Sequence, residues 1–170
     1  MLQLYLLRHA KSDWSADYKR DETRPLNSRG IAAALRVGVF MKQRSIVPNR
    51  VLCSPAKRSR ETLKLLRQSW KDKPAISVLP ELYLQGHEAI IDAIRDEGGK
   101  ARRLLVTTHN PDIADTTLAL IAKSQRKTSE TIGKFPTAAL ACLACPIERW
   151  RDLEPRSSTL IAFIRAKEIR

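Results

Sequence analysis

Residues 2–9 read LQLYLLRH. Leu2 to Leu7 is a short apolar run suited to a strand buried on both faces, the environment of a central parallel strand. The run stops at Arg8-His9. Ligands of open α/β sheets collect beyond the carboxyl ends of the strands. A buried strand that ends in a guanidinium and an imidazole therefore indicates a fold and also where to look for chemistry.

Outward from that strand, polar residues from Lys11 to Glu22 read as a loop. Arg24-Pro-Leu-Asn27 leads into a helix over 28–42, with Asn27 or Ser28 as its cap. Val51 to Ser54 is a second brief strand, and Pro55 opens a helix running to about Trp70. Ile76 to Leu79 predicts a third strand, and a helix over 87–97 is stopped by Gly98-Gly99. Leu104 to Thr108 is a fourth strand. Asn110-Pro111 supplies a cap and a first-turn proline for a helix to about Lys123. Residues 124–136 are polar and basic, and Ala138 to Cys145 and Thr159 to Ile164 read as two closing strands. Strands alternating with helices predict an α/β three-layer sandwich with a largely parallel central sheet. The length of 170 residues predicts one domain across the whole chain.

Composition narrows the function classes. Apolar residues at 43% and charged residues at 29% describe a globular chain with a real core, which argues against disordered or fibrous classes. The three cysteines, Cys53, Cys142 and Cys145, lack the regular spacing of a disulfide framework, and the N-terminus lacks the layout of a signal peptide. An intracellular, cytoplasmic protein with no membrane span is expected. Cys142-x-x-Cys145 has no second ligand pair for structural zinc, so both are read as buried strand thiols. The unusual number is the charge: 31 Lys and Arg against 18 Asp and Glu give +13, so an anionic partner is the first question.

The residues at the strand ends answer it in part. The first strand ends in Arg8-His9, the second leads through Ser54-Pro55 into Lys57-Arg58, and the fourth ends in His109-Asn110. Two of the three histidines and two arginines are thereby aimed at one end of one sheet, as a phosphoryl-transfer pocket requires. A neutral His9 can attack phosphorus and carry the group covalently. Arg8 and Arg58 can grip the phosphoryl oxygens with planar forks and, as neighbouring cations, disfavour imidazolium on His9. His109 reads as an oxyanion donor. Lys11 and Arg24 are either further phosphate contacts or loop charges. His87 reads as solvated.

These residues resemble the histidine phosphatase superfamily related to phosphoglycerate mutase, and within it the small SixA-type phosphohistidine phosphatases. LLRHAKS at 6–12, RPLNSRG at 24–30, SPAKRSRET at 54–62, THNPDIAD at 108–115 and FPTAAL at 135–140 carry the resemblance in the family's order. It implies a phosphoglycerate mutase-like fold, His9 as the phosphorylated nucleophile, and Arg8, Arg58 and His109 as the phosphate pocket, with no metal and no cofactor. Related proteins often carry glycine immediately before the second histidine, where Thr108 stands here. The mutase branch protonates its leaving group from an L-x-E-x-x-x-x-G segment, which Leu79 to Gly86 resembles, implying Glu81 as the acid. Asp21 and Asp112 are alternatives to it.

The expected substrate is a phosphorylated protein, phosphohistidine above all, or a small phosphorylated molecule. The rival reading is a basic module that grips RNA or an acidic partner through a vestigial phosphate pocket. Only three Tyr, three Phe and three Trp are present, with no aromatics interleaved among the basic residues, which argues against nucleic acid. Along 57–71, Lys57, Arg60, Lys64, Arg67 and Lys71 fall on one helical stripe and Ser59, Leu63, Leu66 and Trp70 on a buried one. Arg58 belongs to neither, as expected if it turns into a pocket.

Overall fold

In the computed structural model, which describes residues 1–170 with side chains everywhere except 126–129, six strands form one sheet. They are β1 (Leu2–Arg8), β2 (Arg50–Cys53), β3 (Ala75–Val78), β4 (Arg103–Thr108), β5 (Leu140–Cys145) and β6 (Thr159–Ile164), in the order β3-β2-β4-β1-β5-β6. The pairings of β3 with β2, β2 with β4 and β4 with β1 are parallel. Only β5 runs against its neighbours, so the sheet is mixed but mostly parallel.

Because successive side chains of a strand alternate between faces, β1 serves two cores. Tyr5 and Leu7 pack with Ala34, Val37 and Met41 of α1 (Ser28–Gln43) and with Leu63 and Leu66 of α2 (Lys57–Leu66). Leu4 and Leu6 face Ile90 and Ile94 of α3 (Gly86–Glu97), Ile113 and Leu120 of α4 (Asp112–Leu120), and Ile132 of the short α5 (Ser129–Gly133). Helices on both faces make the three expected layers. Cys142 belongs to the first core and Cys145 to the second, so the two thiols of the CxxC point to opposite faces. Among the described residues no helix is long and apolar enough to cross a membrane.

Several boundaries differ from the sequence expectation, each for a local reason. Asn27, not Ser28, caps α1, its side chain accepting from the Gly30 amide. Regular α2 ends at Leu66, not Trp70, and passes into a 3-10 turn over Arg67–Ser69 that lets the Trp70 indole donate to the Gly38 carbonyl. Pro111 is the cap of α4 rather than its first residue, and the helix stops at Leu120, not Lys123, because Ile121 leaves it to bridge Ser158. β5 begins at Leu140, not Ala138. Ala138 takes a left-handed φ of 60° and spends its amide on the carbonyls of Arg8 and His9.

Candidate active site

The sheet register builds the site. Arg8 lies opposite Thr108 on the neighbouring strand, and Cys53 opposite Thr107, so the residues that follow β1, β2 and β4 emerge side by side. These are His9, Ser54 and His109. The imidazoles of His9 and His109 are buried, with ring centroids 5.1 Å apart. Arg58, the second residue of α2, is also buried and reaches them from the side, on neither the apolar nor the solvated stripe of its helix. Together with Arg8, Lys11 and Arg24 they line a cavity of about 370 Å³ open to solvent.

The hydrogen bonds of His9 define its chemistry. Nδ1 lies 2.7 Å from the Ala10 carbonyl, which can only accept, so the ring proton sits on Nδ1 and Nε2 keeps its lone pair. Arg58 donates to that Nε2 from its Nε at 3.3 Å. Burial, opposed by the Ala10 hydrogen bond and reinforced by Arg58, Arg8 and Arg24, pushes the His9 pKa down to about 3. The sequence argument named the cations as the cause, but burial is the larger effect. His109 is likewise pushed down to about 3 by burial, with His9 and Arg58 adding to it. Both rings are neutral at physiological pH.

The rest of the pocket is rich in donors. Arg8 donates from Nη1 to the Phe135 carbonyl at 2.7 Å, which leaves the remainder of its fork for other acceptors. Arg24 is buried, bonded to Ser12 Oγ and to Asp21, so it is part of the pocket wall and not a loop charge. Its guanidinium also covers the ring of exposed Trp14, 3.5 Å from the centroid. Arg8 Nε, Arg24 Nε and His109 Nδ1 are buried without a hydrogen-bond partner. Buried polar groups are normally satisfied; of the four orphans on residues lining this cavity, these three are donors that suit an anionic oxygen-rich ligand, while the fourth, Asn110 Oδ1, is an acceptor. Lys11 stands exposed on the wall of that cavity.

The three carboxylates considered as acids take different places. Asp21 accepts from Arg24 at 2.7 Å, from Arg58 at 2.9 Å and from the Tyr83 hydroxyl at 2.8 Å. Although burial opposes it, these bonds hold its carboxyl well below the usual range. Asp112 is buried and accepts the Gly86 amide. Glu81 is exposed and lines a separate shallow depression with Pro80, Gln85 and Ala89, away from the residues around His9. His87 is half-buried and lies on yet another depression.

Sequence reasoning missed several neighbours. Ser54 Oγ is 2.7 Å from His109 Nε2 and lies within reach of the Ala56 amide, which donates to it. With its oxygen accepting there, its hydroxyl proton is free to go to Nε2, which leaves the His109 proton on the orphaned Nδ1. Ser12, Trp14, Asn110 and Thr137 also line the cavity. The motif residues Glu61 and Thr62 act as ties. Glu61 accepts the Leu26 amide, while Thr62 accepts from Ala10 and donates to the Arg58 carbonyl. Thr108, at the position where glycine is common, turns its hydroxyl away from the cavity to the Leu82 carbonyl at 2.6 Å.

Comparisons with known proteins identify relatives of the chain. The profile of the histidine phosphatase superfamily (branch 1) matches residues 4–83. An uncharacterized protein of Mycobacterium leprae is 32% identical over 162 residues, covering 92% of this chain and 98% of its own. Phosphohistidine phosphatase SixA of Escherichia coli is 28% identical over 144 residues, covering 82% of this chain and 83% of its own. In three dimensions, the protein histidine phosphatase SixA in complex with tungstate superposes with a TM-score of 0.81 at 21% identity, covering 99% of this chain and all of that one, and so shares the fold. With its two imidazoles and its arginines gathered at the end of a phosphoglycerate mutase-like sheet, the chain belongs to the histidine phosphatase superfamily.

Proposed function

We propose that this phosphatase, a single domain over residues 1–170, hydrolyses phosphohistidine on proteins, and small phosphate monoesters less readily, through a covalent intermediate on His9. The observation that supports the reading is the tautomer of His9: Nδ1 holds the proton against Ala10, and Nε2 keeps a lone pair that accepts from Arg58 Nε at 3.3 Å and gives up that bond as it attacks phosphorus. In the first step that lone pair forms an N–P bond as the bond from phosphorus to the leaving imidazole breaks, and the leaving group takes its proton from solvent. In the second, water attacks the phosphohistidine, the N–P bond breaks back to His9, and inorganic phosphate departs. Arg8, Arg24, Arg58 and the Nδ1–H of His109 surround the phosphoryl oxygens and oppose the charge that develops on them. These side chains supply the positive charge that a divalent cation would otherwise provide, which supports a metal-independent reaction.

An imidazole leaving group is a far weaker base than an alkoxide and needs no dedicated acid. The exposed position of Glu81 and the ionised state of Asp21 favour phosphoramidates over alkyl esters on that ground. The basic-module rival is not favoured, since buried neutral histidines serve no purpose in electrostatic gripping. The test is to incubate the protein with radiolabelled phosphohistidine peptide, quench rapidly, and assay the protein-bound label. Acid-labile, base-stable label that is absent from His9→Ala is expected. Full turnover by His9→Ala would remove His9 as the nucleophile.

A further inference from the structure

A second cavity of about 370 Å³ lies against the first and shares Lys11 and Thr137 with it. Its walls come from three parts of the chain: Lys11 after β1, Arg29 and Arg36 on α1, and Arg165 and Lys167 in the segment after β6. Ala32, Ala33 and Pro136 line it with small and apolar side chains. Arg165 pairs with Glu168 at 3.1 Å, and Arg36 donates to the Ala166 carbonyl. Lys11, Arg29 and Lys167 are exposed and make no ion pair among the described residues. No carboxylate lines the groove.

We infer that this groove binds a carboxylate-rich stretch of the substrate protein next to its phosphorylated residue. The inference rests on the reading of the chain as a phosphatase of phosphorylated proteins. Because Lys11 and Thr137 wall both cavities, a polypeptide leaving the phosphoryl pocket runs directly into the basic channel. Lys11, Arg29 and Lys167 are separate and solvated, which suits several Asp and Glu side chains better than one tightly held phosphate, whose binding needs convergent buried donors. No aromatic side chain lines the groove, so the stacking platform that single-stranded RNA uses is missing. Complementary exposed charge acts mainly on encounter and weak binding, so the groove selects substrates through KM.

The test uses two phosphohistidine peptides, one flanked by Asp and Glu and one by Asn and Gln, with an aryl phosphate as control. Wild type is compared with the double variant Arg29→Gln/Lys167→Gln. Wild type is expected to favour the acidic peptide in kcat/KM by about tenfold at low salt, the variant to keep about a twofold preference, and the aryl phosphate rate to stay unchanged. Equal kcat/KM for the two peptides in wild type, or an unaltered preference in the variant, overturns the inference. In parallel, fluorescence anisotropy follows wild type and variant with the unphosphorylated acidic peptide and with a uridine oligonucleotide. Weaker peptide binding by the variant is expected whether or not catalysis occurs, so loss of all turnover would count against the phosphatase reading and leave this arm to decide the groove. Tighter binding of the oligonucleotide than of the peptide, lost in the variant, would assign the groove to nucleic acid and overturn the inference.

Discussion

Arg58 points its Nε at Nε2 of His9 across 3.3 Å while both of its Nη atoms are held by Asp21, through the backbone carbonyl and the carboxylate. One guanidinium thus ties His9 to the loop that follows it. Lysine has the charge and three donors, but not the rigid plane that reaches His9 and Asp21 at once. Arg58→Lys is therefore expected to lower kcat by about 100-fold, in the range of losing a transition-state donor. Steady-state kinetics with an aryl phosphate checks this, and a variant within about threefold of wild type would show that charge alone suffices.

Both buried histidines titrate near 3 when folded, against an ordinary value near 6.5. Between those limits the unfolded chain takes up protons that the folded chain refuses. Their neutral state stabilises the fold fully above pH 6.5, and that stability is lost as pH falls toward 3. Two protons correspond to a slope of about 3 kcal/mol per pH unit at its steepest. Asp21, whose folded carboxyl sits below the usual range, adds a loss only below about pH 4. Urea midpoints measured from pH 7.5 to 4.5 should fall below pH 6.5, and His109→Asn should halve the slope. A flat profile over that range would contradict the buried neutral state.

Ser54 acts on the reaction through His109. Ser54→Ala removes the partner of His109 Nε2 and frees the ring to exchange tautomers. A loss of about tenfold in kcat with little change in KM is expected. Nitrogen chemical shifts of labelled His109 should move from a single Nδ1–H tautomer to a mixture, a change that a merely structural role would not produce, and Ser54→Thr should restore both.

Glu81→Gln is expected to leave turnover of a phosphohistidine peptide and of an aryl phosphate within about twofold of wild type, because the side chain lies outside the cavity. A selective loss on the ester alone would instead bring the 79–86 segment into the reaction.

The residues that sequence placed well are those fixed by strand ends. His9 and His109 follow buried strands in register, so their meeting depends only on the parallel pairing that the alternation of elements predicts. Gly30 in RPLNSRG has a reason of the same local kind: a Cβ there would come within 2.0 Å of the Lys11 carbonyl, so only glycine lets α1 lie against the loop after His9. What sequence could not show depends on ties between distant segments. Glu81 faces outward because the Thr108 hydroxyl holds the Leu82 carbonyl and Asp112 holds the Gly86 amide, which sets the direction of a turn whose pattern suggested a catalytic acid. Arg24 could be read from sequence as a phosphate contact or as a loop charge, and its burial follows from Ser12 and Asp21 closing around it. Ser54 was visible as a strand-end residue, but its effect on the His109 proton lies in a contact 55 positions along the chain.

The central position of β1 has a consequence for how the molecule is made. The strand that leads to His9 is made before the other five strands of the sheet, yet its partners are β4, from Arg103, and β5, ending at Cys145. Until β4 has been made, Leu4 and Leu6 have no strand beside them and His9 has no second imidazole, and until β5 follows, the other edge of β1 stays open. Such long-range closure slows folding and lengthens the exposure of apolar strand surface. On the ribosome, therefore, β1 keeps an open edge and stays exposed to aggregation until β5 emerges, and a nick between β1 and β5 would leave His9 on a different fragment from a strand that flanks it.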